Sequence, residues 1–308
     1  MSQPIACSPK LLPDECHDDA ALAAINENPL NAPHVHGLAK AMGHVDKASI
    51  AMVTSKYWRT NGVRLTVGFL DNPEQALRDR ILLHMNAWSK TGNITFVESS
   101  VDPQVRIARD GTGYWSYIGT DILLIGPKKP TMNLQGFTMN TPDSEFYRVV
   151  RHETGHTLGC PHEHMRAELI ALIDPAKAIA YFGATQGWSP DQVRAQVLTP
   201  IEQASVLGTP PDQSSIMCYH IPGQLTKDGN PILGGTDIDP SDYDFIGKIY
   251  AKPAPAPGMA LQAAGAPMGG IRTQAGSVEI HLPNGNSLHI HRELSMSQIE
   301  RLARALTS

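Results

Sequence analysis

The sequence predicts an α+β fold of two halves with a twisted mixed sheet, and three features carry that expectation. Short runs of strand length lie between residues 63 and 125. A helical stretch holding His152-Glu153-Thr154-Gly155-His156 follows. Beyond it the chain is turn-rich, with helical stretches and a Ser214-Ser215-Ile216-Met217-Cys218-Tyr219 turn. Sheet and long helix would form the upper half, the remainder the lower half, with a cleft between them.

Taken in order, Val63–Phe69 alternates as a half-buried strand does, with apolar odd positions. Asp71-Asn72-Pro73 opens a helix that carries Leu77, Ile81 and Trp88 and stops at Thr91-Gly92-Asn93. Further strands are expected at Ile94–Glu98, Val105–Ala108 and Ile122–Ile125, the last as a buried apolar run. Residues 111–117 read as a glycine and aromatic loop, and 131–137 as a sheet edge able to bind an extended peptide. The long helix should begin near Asp143 or Ser144, after Pro142, and end at Gly159. Helices at 175–182, 190–197 and 240–250 follow, the last capped by Asp239.

The chemistry concentrates in His152-Glu153-Thr154-Gly155-His156-Thr157-Leu158-Gly159-Cys160-Pro161-His162, an H-E-x-x-H-x-x-G-x-x-H sequence. Four residues apart on a helix, His152 and His156 share a face and can reach one metal ion. Gly159 is suited to the left-handed conformation that ends a helix and returns His162 as third ligand. Three neutral imidazoles leave one position open, which is how a catalytic zinc differs from a structural one. Glu153, offset from the ligand face, is placed as general base. Met217 in the downstream turn would form an apolar floor beneath the metal rather than a ligand.

These residues resemble the metzincin clan of zinc endopeptidases and, within it, the astacin family. Gly159-Cys160-Pro161-His162-Glu163-His164-Met165-Arg166 is similar to the astacin G-x-x-H-E-x-x-R, and Ser215-Ile216-Met217-Cys218-Tyr219 to its S-I-M-x-Y Met-turn. The resemblance covers about residues 57–250 and implies an astacin-like two-subdomain zinc peptidase, cleaving a peptide or protein substrate with Zn2+ as cofactor. It implies that Tyr219 approaches the metal and stabilises the oxyanion. It also implies a buried partner for Glu163, which in mature astacins meets the ammonium of the trimmed N-terminus. Here that partner would be Arg166 or His164 unless residues 1–56 are removed. Ala167-Glu168-Leu169 departs from the acidic D-R-D segment usual after the arginine, and Cys218 replaces a common histidine.

Outside this domain, 1–56 form an extension that reads as a latency segment or a plain structural one. As a latency segment it would place Cys7, Cys16, Asp14, Asp18 or Asp19 at the metal's open position. His34 and His36 read as surface residues. Residues 251–270 are a Pro/Ala/Gly-rich linker and 271–308 a small hairpin-helix unit, expected to dock a partner or the catalytic domain because it buries little alone. A formal charge of −5 gives no basic footprint for nucleic acid. No stretch reaches transmembrane length and no secretory signal is evident, so a soluble chain is expected. Cys160 and Cys218 are expected as unpaired thiols beside the metal. A basic residue from 175–205 is expected to line a substrate subsite. The competing function is a latent or non-catalytic zinc- or peptide-binding module.

Overall fold

The computed structural model of the chain describes Cys7, residues 10–32, 54–59, 62–200 and 211–253, and the backbone of 271–274, 277–281 and 287–290. The chain divides into two compact units, Met1–Lys252 and Pro253–Ser308.

The first unit is built on a five-stranded mixed sheet. Its strands are β1 (Val63–Phe69), β2 (Ile94–Glu98), β3 (Val105–Ala108), β4 (Tyr114–Ser116) and β5 (Met132–Leu134), in the order β2-β1-β3-β5-β4. The first four in that order run parallel, and β4 returns antiparallel to β5, with Trp115 opposite Asn133. In β1 the alternation works as read: Val63, Leu65 and Val67 are buried while Arg64 is exposed. Central β3 is buried throughout. Its Arg106 is compensated by donating to the carbonyls of Pro103, Gln104, Ile125 and Lys129.

Two expectations about this sheet need correction. Ile122–Ile125 is not a strand. Gly119–Leu124 forms a 3-10 turn in which Ile122 is buried while Leu123 and Leu124 are 45% and 38% exposed. A tight three-residue repeat presents only one of these apolar side chains inward, and Arg106 claims the Ile125 carbonyl that a ladder would use. The sheet edge is also different: it is β4, from the stretch read as a loop, whereas β5 is fully buried between β3 and β4. Asn133 causes the reversal, its side chain bonding Gly111 N and the carbonyls of Gly111 and Gly113.

Helix α1 (His17–Glu27) lies in the extension, where no periodicity was evident, because only the small residues Ala20, Ala21 and Ala24 are buried. The chain after it is tied to the catalytic region through Asn31, which exchanges hydrogen bonds with Tyr57, and Asn28, which donates to Trp58 O. Helix α2 (Gln75–Met85) continues as a 3-10 stretch to Lys90. The long helix starts at Asp143 as expected, passes through a π turn (Phe146–Val150), and becomes α3 (Arg151–Thr157). Its last carbonyls are taken by aromatic side chains: Trp58 Nε1 donates to Thr157 O, and the Tyr250 hydroxyl to Leu158 O. The same hydroxyl accepts from Trp58 N.

Helices α4 (Pro175–Gln186), α5 (Pro190–Val193) and α6 (Pro240–Ile249) complete the unit. Asp239 caps α6 in a reciprocal pair with Asp242, as its position suggested. One hydrophobic cluster joins the sheet to α2, to the Phe146–Val150 π turn and to α6. A second gathers Ile173, Phe182, Val193, Val197, Tyr219 and Leu225, and it includes Cys7.

The second unit contains β6 (Ile271–Gln274), β7 (Ser277–His281) and β8 (Ser287–Ile290) as an antiparallel sheet with Val278 opposite Ile290. The hairpin was readable, and β6 was not. The expected helix near 296–306, His34 and His36 lie outside the described residues. Among the described residues no helix is long and apolar enough to cross a membrane.

Candidate metal centre and catalytic cleft

Helical spacing puts His152 and His156 on one face of α3, and Gly159, at φ +98°, turns the chain so that His162 comes back toward them. The Nε2 atom of His162 lies 3.2 Å from that of His152 and 3.0 Å from that of His156. His152 Nδ1 donates to Ile216 O at 2.6 Å and His156 Nδ1 to Cys160 O at 2.7 Å. Those bonds commit the proton of each ring to Nδ1 and leave an Nε2 lone pair facing inward. Burial lowers the pKa of His152 to about 4 and that of His156 and His162 well below the usual value, keeping the rings neutral. Converging lone pairs repel unless a cation lies between them. Tetrahedral ligands at about 2.0–2.1 Å from zinc are about 3.3 Å apart, so the donor set fits that ion.

A thiol sulfur lies beside the three nitrogens. Cys7 Sγ is 3.5 Å from His156 Nε2, and the four donor atoms of Cys7, His152, His156 and His162 lie within 4.8 Å of one another. Of the extension's other candidates, Cys16 precedes α1 and is half-buried, and Asp18 and Asp19 are exposed.

Glu153 is 1% exposed and neither carboxyl oxygen has a hydrogen-bond partner; burial pushes its pKa up to about 8. The Tyr219 hydroxyl is also buried without a hydrogen bond, and burial raises its pKa. Its ring stacks on His164 at 4.1 Å and lies 4.3 Å from His162. Both lie against the Cys7 thiol, Glu153 acting on it through charge and close contact and Tyr219 through close contact, without a well-formed hydrogen bond to either. A cavity of about 300 Å³ opens here, lined by His152, Glu153, Tyr219, Arg148, Tyr181 and Phe182 among others. Arg148 of the π turn is on its lining, and α4 contributes Tyr181, Phe182 and Gln186.

Met217 sits behind α3. A Cβ on Gly155 would overlap the Met217 sulfur, so any larger residue there obliges the Met217 side chain to shift, a coupling the motif's variable position concealed. The turn is held by Asp242, which accepts from Ser215 Oγ at 2.6 Å and Ile216 N at 2.8 Å. Of the two partners considered for Glu163, the structure selects Arg166; Asp212 N adds a bond at 3.1 Å. His164 instead bonds Gln196 O. Glu163, Arg166, Asp212 and Asp242 border a second cavity, of about 380 Å³. All four cysteines are free thiols.

A mixed sheet, a helix bearing two histidines of a converging trio, and a buried carboxyl beside them define a metzincin-type zinc peptidase domain. The model of the astacin peptidase family matches residues 51–230, more than half of the chain, and the chain belongs to that family. It is 36% identical over 92 residues to zinc metalloproteinase nas-27 of Caenorhabditis elegans, a match spanning 30% of this chain and only 19% of that protein. Among solved structures it resembles myroilysin at 32% identity and a TM-score of 0.61, over 65% of this chain and 97% of that one.

Proposed function

We propose that the chain is a zinc endopeptidase in which His152, His156 and His162 hold the ion and Glu153 is the general base. The convergence of three Nε2 lone pairs, with two of the rings fixed through Nδ1, carries this reading. Bound Zn2+ supplies Lewis acidity at the scissile carbonyl. Glu153, buried beside the histidines and with its proton affinity raised by burial, takes the proton of the attacking water and delivers it to the leaving amine. The Tyr219 phenol, also buried, donates to the oxyanion. Met217 is the Met-turn floor, Gly159 the helix stop, and Glu163 a structural anchor paired with Arg166.

A substrate in extended form would add to the sheet at β4, the edge strand. Residues 57–250 make up the catalytic domain in this reading, 1–56 a latency segment over the cleft, and 251–270 a linker. The hairpin-bearing 271–308 serves to dock a partner or the catalytic domain, being too small to bury much alone.

The test is cleavage of a quenched peptide library by the purified protein and by Glu153→Ala, with metal determined on both. Zinc near one per chain in both, with cleavage lost in the variant, is expected. Absence of zinc overturns the reading, and zinc without cleavage in either protein leaves the latent or binding-only alternative in its place.

A further inference from the structure

We infer that His164 is a positioning residue for the reaction: its imidazole, outside the metal-binding trio, clamps the Tyr219 ring so that the phenol stays where the oxyanion forms. This rests on the peptidase reading and specifies how that site keeps its oxyanion donor in place.

The Tyr219 ring needs support from outside itself. Its hydroxyl is buried without a well-formed hydrogen bond, so no polar contact fixes the direction in which it points. Three imidazoles lie around the ring. Between ring centroids, His152 is 6.4 Å away, and His162 is 4.3 Å away at an interplanar angle of 54°. Both are metal ligands in the peptidase reading. His164, at 4.1 Å and 14°, is the nearest and most nearly parallel of the three. Stacked rings attract beyond what their buried area alone supplies, so the imidazole holds one face of the phenol in a single place.

His164 is itself anchored. It lies on the 3-10 turn Glu163–Met165 and is fully buried. Its Nε2 donates at 3.1 Å to Gln196 O, in a second π turn, Arg194–Leu198, whose Val197 belongs to the second hydrophobic cluster. One residue earlier, Glu163 N donates to Met217 O at 2.9 Å, which joins the backbone carrying His164 to the backbone carrying Tyr219. The stacked pair is thus fixed by a main-chain bond on one side and by a carbonyl on the other. No other duty accounts for the imidazole. It lies outside the group of converging metal-ligand atoms, and Glu163 takes Arg166. Its Nδ1 is buried without a well-formed hydrogen bond, a cost that an apolar side chain would not carry. Only a ring with a donor in its plane can stack through its face and anchor through its edge at once. An oxyanion donor stabilises the transition state to the extent that it is already aimed before the charge develops.

The experiment uses the full chain loaded with zinc, in wild type, His164→Gln, His164→Phe, Tyr219→Phe and the double variant His164→Gln/Tyr219→Phe. His164→Gln keeps a donor for Gln196 O and removes the ring. It should lower kcat by on the order of 10-fold at unchanged KM and zinc content, the scale of one aromatic pair. His164→Phe keeps a ring and should restore most of that loss. On the Tyr219→Phe background, His164→Gln should cost nothing further, because His164 acts through the hydroxyl. An equal loss with and without that hydroxyl, or an unchanged kcat in His164→Gln, overturns the assignment. One readout needs neither turnover nor a His164 variant. With tyrosine isotopically labelled at the ring carbon that bears the hydroxyl, Tyr219 gives the resonance missing from Tyr219→Phe. A single narrow line is expected in the wild type, and a line split or broadened by exchange overturns the clamp. Absence of zinc, or zinc without cleavage in the wild type, overturns the peptidase reading instead, while the tyrosine line still decides whether the ring is clamped.

Discussion

The two cavities flanking the Met217 turn treat charge in opposite ways. Ser215 and Met217 face the larger one, where Glu163 pairs with Arg166 and Asp242 accepts two hydrogen bonds from the turn. Ile216, Cys218 and Tyr219 face the other, where both oxygens of Glu153 and the Tyr219 hydroxyl have no well-formed hydrogen bond. Both regions bury ionisable groups, so burial alone does not mark the reactive one. Polar groups satisfied within the chain hold structure together, whereas buried groups left unsatisfied cost stability and are retained for a ligand or a reaction.

Mutations on the two sides should separate accordingly, each measured on a form of the protein that cleaves. The largest effect is expected for Glu153→Gln, which should lower kcat by on the order of 10²–10⁴-fold while metal content is unchanged. Equal loss of metal and activity would remove Glu153 from the catalytic role. Tyr219→Phe keeps the stack on His164 and removes only the hydroxyl. A fall of about 10²-fold in kcat with KM nearly constant is expected, and an unchanged kcat would return Tyr219 to a purely packing role.

Behind the helix, Gly155→Ala should cost about 1–3 kcal/mol in urea unfolding by pressing on Met217. The cost should shrink when Met217→Ala is added, because the two residues share one space; strict additivity would show that they do not. The smallest effect is expected at Glu163→Gln. Its pair with Arg166 is partly solvated, with side chains 17% and 11% exposed, so a loss of about 1 kcal/mol and full metal binding are expected. A loss of activity well beyond that destabilisation would give the second cavity a part in catalysis.

The convergence of His152, His156 and His162 was readable because helix periodicity and one glycine turn bring them together from local sequence alone. The Glu163 partner was readable as a choice between neighbours, and packing made the choice. Cys7 could be named only among several candidates, since its place depends on strand pairing across more than a hundred residues. Gly155 carried no signal, because a glycine inside a helix reads as a cost until Met217 is brought against it. Ile122–Ile125 misled for the opposite reason: apolar composition suits a buried strand and a one-sided turn equally, and only Arg106 and the turn's exposure decide between them.

The carbonyl end of the metal-bearing helix has a bearing on how the molecule comes into being. Trp58 and Tyr250, which close it, come from opposite ends of the catalytic stretch. During vectorial synthesis the histidines leave the ribosome long before Tyr250 does. The helix terminus is therefore completed only when almost the whole unit is available, and a nascent or prematurely ended chain carries the motif without the means to finish the helix that bears it. Completion of this helix is thus deferred by the order of translation.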